Sequence, residues 1–124
     1  MKYGLKESTL QQICTVLAQY PRIEKAILFG SRAKGNYKNG SDIDLTLIGG
    51  KDLTNHILYR VIDALDDLLL PYSIDLSIFS NISDTDVINH IQRVGLDFYT
   101  SGQKYTAHSI VDLTPHFSNA QDIK

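Results

Sequence analysis

Cysteine is nearly absent from this chain: one residue, Cys14, in 124. No internal disulfide can form, and Cys14 falls at an apolar position of a helical pattern, so it reads as buried packing. An excess of basic charge is also missing. Twelve Lys and Arg stand against 14 Asp and Glu, for a net charge of −2. Such a surface offers no overall field for a nucleic-acid backbone, so extended nucleic-acid binding is not expected. No apolar run reaches membrane-spanning length, and the N-terminus lacks the apolar stretch of a signal peptide. A cytoplasmic location without a membrane partner is the default expectation. Internal repeats and low-complexity tracts are lacking as well. The rest is ordinary for one soluble domain, with 43% hydrophobic and 21% charged residues.

Periodicity divides the chain into alternating elements. Leu10, Ile13, Cys14 and Leu17 fall at helical spacing, which predicts a helix over about 8–20, with Ser8 and Gln11 as a capping box. Residues 23–29 read as a strand. Gly30 permits a tight turn, and residues 31–35 fit a short helical turn. Residues 42–48 read as a second strand, closed by Gly49 and Gly50. Leu53, Ile57, Leu58, Val61, Ile62, Leu65, Leu68 and Leu69 form one broad stripe, predicting a helix over 52–70 that Pro71 stops. Residues 73–79 alternate polar and apolar as a third strand. Ser83 is the expected cap of a helix over 84–93, with Val87, Ile88 and Ile91 inward, and 96–99 fits a short fourth strand. The expected class is α+β of α/β type: a small mixed sheet of three to four strands with helices packed on one face. Residues 1–100 form the expected domain. Residues 101–124 read as a C-terminal extension, either docking a partner or disordered.

The stretch from Gly30 to Asp44 carries the chemistry. Gly30 and Ser31 follow the apolar run Ala26–Phe29, and Asp42 and Asp44 head the second strand. Alternate strand residues share a face, so both carboxylates point the same way. Like charges held so close raise a pKa unless a cation neutralises them, and oxygen ligands of this kind suit Mg²⁺. Asp75 lies on the polar face of the third strand, between Ser73 and Ser77. With the two strands side by side, three aspartates share one sheet face. Taken singly, an Asp-x-Asp pair is often only solvated and a Gly-Ser pair is common in loops. His56, His90, His108 and His116 show no metal-ligand spacing and read as surface or packing residues.

Gly30-Ser31, ten intervening residues, Asp42-x-Asp44 and a later Asp75 together resemble the signature of the DNA polymerase β-type nucleotidyltransferases. The size and element order are similar to the minimal nucleotidyltransferases, the MNT group, over about residues 8–100. The resemblance implies that Asp42 and Asp44 bind two Mg²⁺ ions. It makes Asp75 a ligand of the catalytic ion that helps to activate the attacking hydroxyl. Gly30 and Ser31 would hold the triphosphate of ATP, the nucleotide donor, with Arg32 and Lys34 adding charge beside it. The reaction implied is transfer of a nucleoside monophosphate to a hydroxyl with release of pyrophosphate.

A chain this short has no room for the domains with which a polymerase grips primer and template. The expectation is therefore that another chain supplies the acceptor site, or that the acceptor is itself a protein. MNT proteins pair with helical HEPN proteins, often as antitoxin and toxin, and members can transfer AMP to a tyrosine of the HEPN toxin. That implies a HEPN-domain protein as both partner and substrate. Two alternatives stand beside it: an antitoxin that neutralises by binding alone, and a small-molecule transferase of the aminoglycoside-modifying kind.

Overall fold

Along residues 1–102, the part described by the computed structural model, helices and strands follow in the order α1 (Glu7–Ala18), β1 (Lys25–Phe29), α2 (Gly30–Lys34), β2 (Ile43–Ile48), α3 (Asn55–Asp66), β3 (Ile74–Ile78), α4 (Thr85–Val94) and β4 (Leu96–Thr100). A 3₁₀ turn, Phe79–Asn81, links β3 to the approach to α4. The strands form one sheet in the order β3-β2-β1-β4. β1 is antiparallel to both β2 and β4, and β2 runs parallel to β3. The parallel pair is joined through α3, as parallel neighbours need a long crossover. Most of the expected extension, 103–124, lies outside the described residues.

The main core lies on one face of the sheet. Leu28, Leu45 and Leu47 are fully buried there with Leu10, Ile13 and Leu17 of α1 and Val61 of α3. Each such side chain contributes roughly 1.5–3 kcal/mol by leaving water. Cys14 belongs to this cluster; its thiol donates to the Phe98 carbonyl at 3.7 Å, and burial pushes its pKa up to about 12. That is the inert packing cysteine foreseen.

The mixed four-stranded sheet is as expected, but one helix sits elsewhere. α1 and α3 cover the Leu-rich face, whereas α4 lies against the opposite one. There Ile91 is fully buried on Ile27, with Phe29, Ile48, Phe79, Ile82 and Val87 around them. The reason is in β1, which is apolar on both sides: Ala26 and Leu28 serve one face, Ile27 and Phe29 the other. A second apolar patch needs a second cover, and the Val87–Ile91 stripe supplies it.

Ends differ as well. α3 spans Asn55–Asp66 rather than 52–70. Thr54 caps its start, Oγ1 accepting from Ile57 N at 3.4 Å, which leaves Leu53 outside the helix yet buried. At its other end Asp67 closes the helix and Leu69 turns left-handed (φ 54°), 87% exposed. The left-handed turn at Leu69 breaks the helix before Pro71, which restricts only Leu70, comes into play. The capping box of α1 is not formed: the helix begins at Glu7 after Lys6, without a side-chain cap. In α4 the cap is Asp84 rather than Ser83, its Oδ1 accepting from Asp86 N at 2.9 Å and Val87 N at 3.4 Å.

Candidate active site

Strand register sets the site. Asp44 on β2 and Asp75 on β3 are direct partners in the parallel ladder, so their Cα atoms are neighbours across the sheet, about 4.8 Å apart by strand spacing. Asp42 precedes β2 by one residue and shares the side of Asp44. Farther along the same face Ser77 Oγ donates to Thr46 Oγ1 at 2.9 Å, so a satisfied polar pair backs the carboxylates. On the other side of β2, Phe29 pairs with Asp44, which delivers Gly30 to the carboxylate.

Gly30 has φ +73° and opens α2. A side chain there is excluded twice, because the left-handed conformation disfavours a Cβ and an ideal Cβ would overlap the Asp44 carboxylate. The glycine thus brings its backbone flush against Asp44. Ser31 follows, half-buried on the first turn of α2.

Asp44 is the perturbed carboxylate. Burial pushes its pKa up first, and the charges of Asp75 and Asp42 push it further. Asp42 and Asp75 are exposed. Among the described residues, no three His, Cys, Asp or Glu side chains gather tightly enough to cage a metal ion. Three like charges have no reason to close on one point without a cation between them. The donor set itself fits Mg²⁺: oxygen ligands only, on a rigid strand pair, with mutual repulsion that a hard cation relieves.

Arg32 is placed differently from the nucleotide contact expected of it. It is 3% exposed, and its guanidinium donates to the Ser41 carbonyl through Nε (3.1 Å) and Nη2 (2.8 Å) and to the Tyr3 carbonyl through Nη1 (2.9 Å). The rings of Tyr37 and Tyr72 lie 5.1 and 5.0 Å from its Cζ. Planar donors between two aromatic faces make a rigid clasp. Arg32 therefore ties the loop before Asp42 to the N-terminal turn, leaving Lys34 as the exposed cation of α2. Tyr37 belongs to this clasp too.

His90 was not singled out by spacing. Its Nε2 accepts a hydrogen bond from Gly30 N at 3.1 Å, and its ring stands edge-on to Phe29 at 6.1 Å. The signal was in the helical pattern: Val87, His90 and Ile91 stand at i, i+3 and i+4, so His90 borders the buried stripe of α4.

A four-stranded mixed sheet with a Gly-Ser turn delivered to paired strand aspartates defines a nucleotidyltransferase-type site. The chain belongs to the family described as Polymerase beta, Nucleotidyltransferase, which matches residues 11–104. It is 45% identical over 53 residues to a Methanocaldococcus jannaschii protein provisionally named a protein adenylyltransferase, a match covering 43% of this chain and 48% of that protein. The chain thus spans about half the length of the curated relative it matches. Its fold is similar to a chain in the crystal structure of a toxin–antitoxin with AMP-PNP, at TM-score 0.61 and 24% identity, covering 80% of this chain and 77% of that one. It is also similar to a chain in the tri-AMPylated Shewanella oneidensis HEPN toxin in complex with MNT antitoxin. There the TM-score is 0.58 and identity 19%, over 78% of this chain and 74% of that one.

Proposed function

We propose that this protein is a Mg²⁺-dependent adenylyltransferase of the MNT type that moves AMP from ATP to a tyrosine hydroxyl of a HEPN-domain partner, and so acts as its antitoxin. The observation that carries the reading is the in-register Asp44–Asp75 pair beside the backbone of Gly30. It puts negative ligands and a close-approach backbone at one edge of one sheet face. The names of the relatives support the reading at the level of partner and donor: one is provisionally named a protein adenylyltransferase, one structure is of a toxin–antitoxin with AMP-PNP, and one is of an AMPylated HEPN toxin with its MNT antitoxin.

In this reading Asp42, Asp44 and Asp75 hold the metal, and Gly30 and Ser31 hold the triphosphate. Bound Mg²⁺ supplies charge neutralisation of the phosphates and lowers the cost of the forming and leaving oxyanions. Asp75, exposed and facing out from β3, takes part in removing the proton of the acceptor hydroxyl. The acceptor oxygen forms its bond to the α-phosphorus of ATP, the bond from that phosphorus to the bridging oxygen breaks, and pyrophosphate leaves. Lys34, exposed on α2, is placed to attract the departing anion. Arg32 acts at one remove by holding the loop that leads into Asp42.

The test is the intact mass of a purified candidate HEPN partner after incubation with this protein, ATP and Mg²⁺. Asp42→Asn/Asp44→Asn protein is the control. Adenylate increments are expected on the partner with the unmutated protein only. A stable, inhibitory complex with no increment on the partner would replace catalysis by neutralisation through binding.

A further inference from the structure

The hydrogen bond between His90 and Gly30 joins the helix on the aspartate face to the glycine of the phosphate-binding turn. We propose that His90 is a displaceable plug: its Nε2 holds the Gly30 N–H until the triphosphate of the nucleotide takes that donor over. The inference rests on the reading of Gly30 as a nucleotide-holding residue.

Three observations meet at this contact. First, Gly30 N is 3.1 Å from His90 Nε2, so a backbone donor at the site is already spent on a side chain. A phosphate oxygen and this imidazole nitrogen cannot both accept the same N–H in good geometry. Second, Gly30 lies flush on the Asp44 carboxylate, so a phosphate drawn to the aspartate site arrives beside this donor. Third, the ring is not locked by full burial: Phe29 meets it edge-on at 6.1 Å, and the residue, midway along α4, is only half-buried. A rotamer change can therefore free the donor without unfolding the helix.

The surroundings favour the accepting state. Accepting at Nε2 requires a neutral ring with its proton on Nδ1. Burial holds the His90 pKa below its ordinary value, and the cations Arg93 and Lys34 hold it lower still. Both cations are exposed, close enough to His90 for their charge to be felt there. Without nucleotide, His90 satisfies a donor that would otherwise need water. With nucleotide, that hydrogen bond must be exchanged, which weakens binding by the net worth of one hydrogen bond, roughly two- to tenfold.

Calorimetric titration with ATP and Mg²⁺ tests this on the full chain, beside His90→Phe, His90→Ala and His90→Gln. Phe keeps a ring against Phe29 without the acceptor, and Gln restores an acceptor at similar reach. Both His90→Phe and His90→Ala are expected to bind ATP two- to tenfold more tightly, with His90→Gln near the unmutated value. A purely structural histidine would move affinity the other way, so unchanged or weaker binding in both acceptor-free variants overturns the proposal. On the unmutated chain, ¹⁵N NMR gives an independent readout that needs no variant to fold. The His90 Nε2 resonance should move from hydrogen-bonded toward free on adding ATP, while the Gly30 amide shifts. An Nε2 that stays bonded in the ATP complex also overturns it. If ATP fails to bind the unmutated chain at all, the nucleotide reading falls and the plug with it; binding without exchange at His90 removes the plug alone.

Discussion

At Arg32 and Asp44, on either side of the loop between α2 and β2, two charges meet opposite fates. Arg32 is buried with its donors matched to carbonyls and its faces matched to tyrosines, so it carries stability. Arg32→Ala should cost roughly 2–4 kcal/mol, read by urea denaturation, because the Ser41 and Tyr3 carbonyls lose a charged donor and the clasp opens. Arg32→Lys should recover only part, since an ammonium cannot donate to both carbonyls in the same plane. Asp44 works the other way. Burial, then the charges of Asp75 and Asp42, raise its pKa above the ordinary 3.8, so the folded chain holds that proton more tightly than the unfolded chain does. That contribution to stability is complete below pH 3.8 and is lost as pH rises through the raised value. Asp44→Asn mimics the neutral form and should melt higher than the unmutated protein at pH 7 without Mg²⁺. Each kcal/mol of gain would appear as roughly 4–8 °C in a domain this size. It should vanish in acid, and adding Mg²⁺ should narrow it by stabilising more the chain that keeps all three carboxylates. A variant no more stable at neutral pH would mean that the three carboxylates do not strain the fold.

Elements carry the site through their ends and their pairing. The parallel β2–β3 register aligns Asp44 with Asp75, and a slip of β3 by one residue would turn Asp75 toward the Leu-rich core and away from Asp44. The turn from β1 into α2 presents Gly30. The position of α4 decides what stands against that turn, and α4 is anchored at its start by Asp84. Asp84→Ala should destabilise the protein by about 0.5–2 kcal/mol through loss of the cap. Because His90 rides on the same helix, amide hydrogen exchange in α4 should accelerate more than in α1, where no side-chain cap exists to lose. Uniform acceleration across both helices would show that α4 does not open independently.

On the scale of the whole molecule, the sheet separates packing from chemistry. α1 and α3 seal one face, and α4 closes only part of the other, leaving the edge with Asp42, Asp44 and Asp75 open to a ligand. Every residue placed in the site lies between positions 30 and 90, and β4 completes the sheet by Thr100. A protein ending after Gly102 should keep its affinity for ATP within about twofold by calorimetry. Under the docking reading of the extension and the proposed function, the same truncation should weaken the complex with a candidate HEPN protein in a pull-down or by native mass. Loss of ATP binding on truncation would place part of the nucleotide site beyond the described residues.

The sequence by itself determined which residues alternate on which side of each strand, because a period of two is a property of the extended backbone. Asp42, Asp44 and Asp75 were therefore legible as one face, and Cys14 as core, before any contact was known. Helix existence was legible too, from the spacing of apolar residues in α1, α3 and α4. Three features needed the tertiary structure. Arg32 looks like any loop cation until Tyr3, Tyr37, Ser41 and Tyr72, separated along the chain, converge on it. The side on which α4 lies depends on whether Ile27 and Phe29 need cover, a question about the sheet as a whole. His90 reaches Gly30 across 60 residues of sequence, a contact no local pattern encodes. Periodicity is set by covalent geometry and so can be read in one dimension, whereas partners distant in sequence are chosen only when the elements pack.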